Sequence, residues 1–208
     1  MTQRFNAFIN AKPHLVSLIL IGIIILPVLA HVYNSSFTRM MADDYCFATI
    51  AKAEGLWGSL VYWFENWSGG HSSILGQSAV ALSGPGAAGL LPALLLLSWL
   101  AALIWLVYEL WRLCGLRYPA FFASFLGSLI LYSIVLGLPN IYQAVYWTSG
   151  SLTYTAPMVV TTIYAGFALN MIRRELSGVR LLITLVVSGA ITFIAGGFSE
   201  TTVALQTV

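Results

Sequence analysis

Charge is what this sequence lacks. Asp, Glu, Lys and Arg make up 8% of its 208 residues, against ~25% in ordinary soluble domains. No basic run and no Gly-rich phosphate loop occurs, so neither nucleic-acid binding nor a P-loop nucleotide site has a sequence basis. Cysteine is scarce too, with Cys46 and Cys114 alone. What fills the space is apolar. Hydrophobic residues reach 59%, and the mean hydropathy of +0.88 is that of an integral membrane protein.

Five apolar segments carry that hydropathy, at 14–33, 89–111, 119–138, 152–171 and 179–196. Each is near the ~20 residues a helix needs to cross a ~30 Å hydrocarbon layer. Backbone in lipid must satisfy its own hydrogen bonds, so each segment is expected to be helical. A sixth crossing is expected to begin at "TTVALQTV", which reads as the N-terminal part of a longer protein. The expected fold is an all-α polytopic bundle of five to six transmembrane helices.

Basic residues set the expected orientation. With the N-terminus cytoplasmic, five crossings put Arg4, Lys12, Arg112, Arg117, Arg173, Arg174 and Arg180 inside, and only Arg39 and Lys52 outside. Glu109 and Glu175 fall inside, and Asp43, Asp44, Glu54, Glu65 and Glu200 outside. The first segment also admits a signal-peptide reading, with "VLA" at 28–30 as cleavage site; the residues after it stay outside either way. Cys46 and Cys114 then lie on opposite sides and cannot pair. Cys46 beside Asp44 reads as a metal ligand or, more simply, as a small apolar filler.

The outer loop at 34–88 is the long one, and long loops tend to be functional. Within it, Trp57, Leu60, Val61, Phe64 and Trp67 follow helical spacing and form one apolar face. A helix lying on the outer membrane surface is expected there. Asp43 and Asp44 precede a helical stretch at about 45–54, so one of them could cap it. Two other patches fall on the same side. "NIYQAVYWTSGSLTYTAP" (140–157) is uncharged and rich in hydrogen-bonding aromatics. It reads either as a sugar-binding surface or as an interfacial belt. "AGGFSETT" (195–202) places Glu200 after the fifth span, as a carboxylate at membrane depth or as a loop charge.

Four motifs in one order, "ADDYC", "ENWSGGHSS", "YWTSGSLTYTAP" and "GGFSE", resemble those of bacterial multi-spanning glycosyltransferases of the GT-C class. That class includes the group behind O-antigen glucosylation and a related domain family of unassigned function. The resemblance covers residues 42–200. It implies sugar transfer from a polyprenyl-phosphate donor to a cell-surface glycan acceptor, at the outer face of the bacterial inner membrane. It also implies a catalytic carboxylate at Asp43 or Asp44. Neighbours on an extended chain point to opposite sides, so one alone faces the reaction, and Asp44 is the expected one. The other would hold the base or a divalent metal, since the leaving phosphate needs positive charge. Trp147 and Tyr154 would form a sugar or isoprenoid platform, with Glu200 as a further polar contact. In the family an arginine follows the W-x-G stretch. Gly70 and His71 stand there instead, and a protonated His71 would take its place on the phosphate.

Overall fold

The computed structural model describes residues 13–174 and 177–206. Arg4, Lys12 and Glu175, used above for orientation, lie outside the described residues. Every described element is helical. We number them α1 (Pro13–Ser35), α2 (Asp44–Asn66), α3 (His71–Leu82), α4 (Pro85–Leu113), α5 (Pro119–Gly137), α6 (Ala156–Arg174), α7 (Gly178–Gly196) and α8 (Glu200–Gln206). Two wider-wound helical turns, Tyr142–Tyr146 and Ser151–Thr155, lie either side of a short α turn, Thr148–Gly150, ahead of α6.

Five helices are long and apolar enough to cross a membrane: Leu18–Ser35 within α1, α4, α5, Thr148–Arg174 and α7. The protein is an all-α polytopic membrane protein. Its outward residues fit that solvent. Leu18, Ile23 and Leu26 on α1 and Val179, Leu182 and Val186 on α7 are all more than half exposed. A contiguous surface of that kind has no stable place in water.

Inside the bundle, Val28, Leu96, Trp99, Leu103, Leu131, Val135, Val145 and Val159 form one buried cluster. Lipid gives apolar residues no reason to leave it, so helices associate through close packing. Gly127 of α5 allows this. A Cβ there would lie 2.9 Å from the Ile104 backbone of α4. Gly166 of α6 likewise admits the Trp105 ring, which a Cβ would meet at 3.1 Å.

The segment between α1 and α4 forms two helices beside the spans. α2 is broken at Gly55, whose φ of 71° suits glycine. After the break, Trp57, Val61, Phe64 and Trp67 are exposed while Ser59 is buried. The apolar face thus points away from the protein, as an interfacial helix requires. α3 was not legible as a helix in the sequence. The Ser59 and Ser78 hydroxyls, 2.8 Å apart and buried, join it to α2.

Candidate functional site

The turn at residues 41–44 sets the two carboxylates apart. Ala42 has φ 47°, a left-handed conformation that costs an L-residue about 1–2 kcal/mol. The turn is closed by Asp44 N–H to Met41 O (3.0 Å) and by Met41 N–H to Asp44 Oδ2 (3.0 Å). The other oxygen, Asp44 Oδ1, accepts from the Ser149 backbone N–H (3.0 Å) and hydroxyl (2.6 Å). Asp44 is 4% exposed and holds the outer loop to the segment before α6. Asp43 stands at the first turn of α2, exposed, with no side-chain capping bond. The expected cap is therefore made by neither residue. Asp44 bonds backward to Met41 and across to Ser149, so its oxygens are engaged away from the helix start.

Ser149 is the junction of this network. Its hydroxyl also lies 2.6 Å from Gln77 Oε1 of α3. A hydroxyl has one proton and cannot donate to both oxygens. Turning the Gln77 amide by half a turn, so that Nε2 donates to Ser149 while Ser149 donates to Asp44, satisfies all three groups.

Two hydroxyls of residues 142–155 donate to carbonyls of the same stretch. Ser151 Oγ donates to Thr148 O (3.0 Å) and Thr155 Oγ1 to Ala144 O (2.5 Å). Gly150 is required here. Any Cβ would fall on the Gln143 carbonyl oxygen and within 3.0 Å of the Trp147 ring. On the near side, His31 Nδ1 lies 2.7 Å from the Tyr146 hydroxyl. Burial pushes the Tyr146 hydroxyl above its ordinary pKa, opposed by a hydrogen bond with Asn34, so it remains a donor at neutral pH.

The start of α3 meets the end of α7. Ser72 N–H donates to Gly197 O (2.8 Å), and Ser72 Oγ donates to Ile194 O (2.8 Å). His71 stacks on Phe193 with ring centroids 4.5 Å apart, and its Nε2 is buried without a hydrogen-bond partner. Gly197 leaves room for that ring, since a Cβ there would overlap Nε2.

These contacts enclose a cavity of about 230 Å³. Asp43, Trp67, Trp147, Tyr154 and Glu200 line it, with Gly70, Gln77 and the hydroxyl-bearing Ser73, Ser149, Thr153 and Ser199. Asp43, Trp147, Tyr154 and Glu200 are thus brought together from three distant motifs. Asp44 and His71 are not on the wall. Among the described residues no Lys or Arg lines the cavity. Ser149 belongs to the polar-aromatic patch singled out in the sequence, whereas Trp67 and Gln77 were not expected on this wall; "ENWSGG" was the signal that could have found Trp67.

The chemistry of the wall is that of a polar aromatic pocket. Two carboxylates accept hydrogen bonds or protons, indole and phenol rings offer flat apolar faces, and hydroxyls do either. Trp147 Nε1 and Thr148 Oγ1 are buried with no hydrogen-bond partner among the described residues. Among the described residues no three His, Cys, Asp or Glu side chains come together.

Comparison with protein-family models, curated proteins and solved structures finds no match to this chain.

Proposed function

We propose that the protein is a membrane glycosyltransferase of the GT-C kind, moving a sugar from a polyprenyl-phosphate donor to a cell-surface glycan. The observation that carries this reading is the convergence of Asp43, Trp67, Trp147, Tyr154 and Glu200 on one cavity. An interfacial belt would scatter such residues around the bundle. Sugar sites combine flat aromatic faces with hydrogen-bonding edges, and this cavity does so.

In this reading Asp43, not Asp44, is the general base. It lines the cavity, and among the described residues its carboxylate makes no hydrogen bond. It takes the proton of the acceptor hydroxyl as that oxygen attacks the anomeric carbon. The bond from that carbon to the phosphate oxygen breaks, and the polyprenyl phosphate leaves with the electron pair. Asp44 is a positioning residue that fixes Ser149 and the turn. Glu200 and Trp147 hold the sugar. A second, apolar cavity of about 370 Å³ between α1 and α5, lined by Pro27, Val28, Val135, Leu136 and Ile141, suits the isoprenoid chain.

A transporter reading would show as several charges within the spans, lining a path through them. Glu109 is instead paired with Arg173, and Glu200 lies beyond α7. The site's chemistry favours transfer.

Two experiments bear on this. Trp147→Ala should reduce sugar transfer in cells at an unchanged level of protein in the membrane. If Trp147 only anchors the protein at the interface, the level should fall and activity per molecule should hold. The orientation is tested separately. The cavity is proposed to face outward, with the bacterial cytoplasm at the end bearing Arg112, Arg117, Arg173, Arg174 and Arg180. Cys46 and Cys114 are both exposed. An impermeant maleimide added to intact cells should label Cys46 and spare Cys114. Labelling of Cys114 alone would reverse the orientation and remove the outer-face reaction.

A further inference from the structure

The network around Ser149 leaves the Gln77 carboxamide half satisfied. With the amide turned as above, Nε2 donates one hydrogen to the Ser149 hydroxyl, which donates to Asp44. The second N–H and the Oε1 oxygen then have no partner among the described residues. A buried polar group left unpaired is costly and calls for a partner. Gln77 is 5% exposed and lines the cavity, so a partner reaches it from there.

The neighbours of Gln77 restrict what that partner is. Ser73 lies one turn earlier on α3, is buried and lines the same wall. Its hydroxyl proton goes to Gly70 O (2.9 Å), so toward the cavity it can only accept. Ile74, also buried, lines the wall between them. Trp147 brings an indole ring to the cavity, and its buried N–H, which can only donate, has no hydrogen-bond partner among the described residues. Such a wall calls for a ligand that both gives protons and offers oxygen lone pairs. Hydroxyl groups do both; an ammonium group only donates. The volume of about 230 Å³ is below the ~300–1,000 Å³ of sites for drug-sized ligands. It suits one small ring, not an extended glycan.

We infer that Gln77 is a specificity-determining residue whose carboxamide pairs with a ring hydroxyl of a monosaccharide, the hydroxyl donating to the amide oxygen. A sugar lacking that hydroxyl leaves the amide buried without its donor and binds less well. The inference rests on the sugar-transfer reading for the kind of ligand; the half-satisfied amide is independent of it.

The test is direct binding to the detergent-solubilised full chain, followed by tryptophan emission from a wall that holds Trp67 and Trp147. Glucose, galactose and mannose are titrated, and the tightest binder is then compared with its own monodeoxy analogues. The expected result is a loss of about tenfold, confined to one ring position or two neighbouring ones, the size of one neutral hydrogen bond. Gln77→Met keeps the length of the side chain and leaves Ser149 donating to Asp44. It should bind the intact hexose about tenfold less tightly and no longer distinguish it from that deoxy analogue. A merely structural Gln77 would weaken every ligand equally and keep the distinction. If the variant melts lower, the comparison is made below its transition, since the ratio of two affinities does not depend on how much protein is folded. Analogues that all bind alike in the parent, a distinction that survives in Gln77→Met, or no binding of any of the three hexoses overturns the inference. Transfer to the surface glycan is measured on the same proteins. Transfer by the parent, with the distinction surviving in Gln77→Met, would reject the inference alone. A distinction lost in Gln77→Met, with no transfer by the parent, would reject the transfer reading and leave the binding site.

Discussion

Asp43→Asn should lower sugar transfer by roughly 10²–10⁴ with no change in thermal unfolding. The two carboxylates are neighbours in sequence, yet their surroundings give opposite expectations. Asp43 is exposed, lines the cavity and makes no side-chain capping bond. Replacing its carboxylate by an amide keeps its shape and removes only the proton acceptor. Asp44 is 4% exposed and accepts from Met41 N–H, Ser149 N–H and the Ser149 hydroxyl. In Asp44→Asn one of the two oxygens becomes an NH₂ group facing donors. Either the Met41 or the Ser149 contacts are lost, at about 1–3 kcal/mol for a buried group left unpaired. That variant should melt lower, and its loss of transfer should follow its loss of folded protein. Transfer and melting measured on the same preparations separate the two. If Asp43→Asn transfers at the wild-type rate, Asp43 is not the base. If Asp44→Asn melts like the parent, the network around Ser149 is not holding the loop.

The different surroundings of these two neighbours show where sequence reading ends. The five spans were legible, because hydropathy over ~20 residues is a local property that lipid enforces. The apolar face of Trp57, Val61 and Phe64 was legible for the same reason. The split between Asp43 and Asp44 was not. Alternation along an extended chain cannot describe a turn whose geometry depends on Ala42 at φ 47°. Nor is Ser149 visible as a partner from 105 residues away. Helix α3 was hidden by its own chemistry. Ser73, Gln77 and Ser78 break the apolar pattern of "HSSILGQSAVAL", yet all three are buried, bonded to Gly70, Ser149 and Ser59. A polar helix face that points into the protein reads, in sequence, like one that points into water.

Glu109→Ala should be the most destabilising single change at the other end of the bundle. Glu109 of α4 is 3% exposed, and Arg173 Nε of α6 lies 2.7 Å from its Oε2. Asn170 Nδ2 donates to Oε1 at 2.7 Å, and the Trp105 indole N–H approaches the same oxygen at 3.4 Å. One carboxylate thus satisfies three groups on two helices. Removing it leaves a guanidinium, an amide and an indole N–H without their acceptor, in a setting where water is scarce. Glu109→Ala should therefore melt lower, chiefly because Asn170 and the Trp105 indole lose their acceptor; Arg173, 25% exposed, can turn its charge toward water and offsets part of the loss. Removing both ends is different. Glu109→Leu combined with Arg173→Leu takes away the charge that needed a partner and leaves apolar contact between α4 and α6, so melting in detergent should recover most of the loss. The site offers a control. The cavity lies at the opposite end of the spans, a hydrocarbon thickness of ~30 Å away. Transfer per folded molecule should therefore stay at the parent level in the double variant. A double variant that melts as low as Glu109→Ala would show that the pair contributes more than mutual neutralisation. A stable double variant without transfer would tie the inner ion pair to the outer site and would require α4 or α6 to move during turnover.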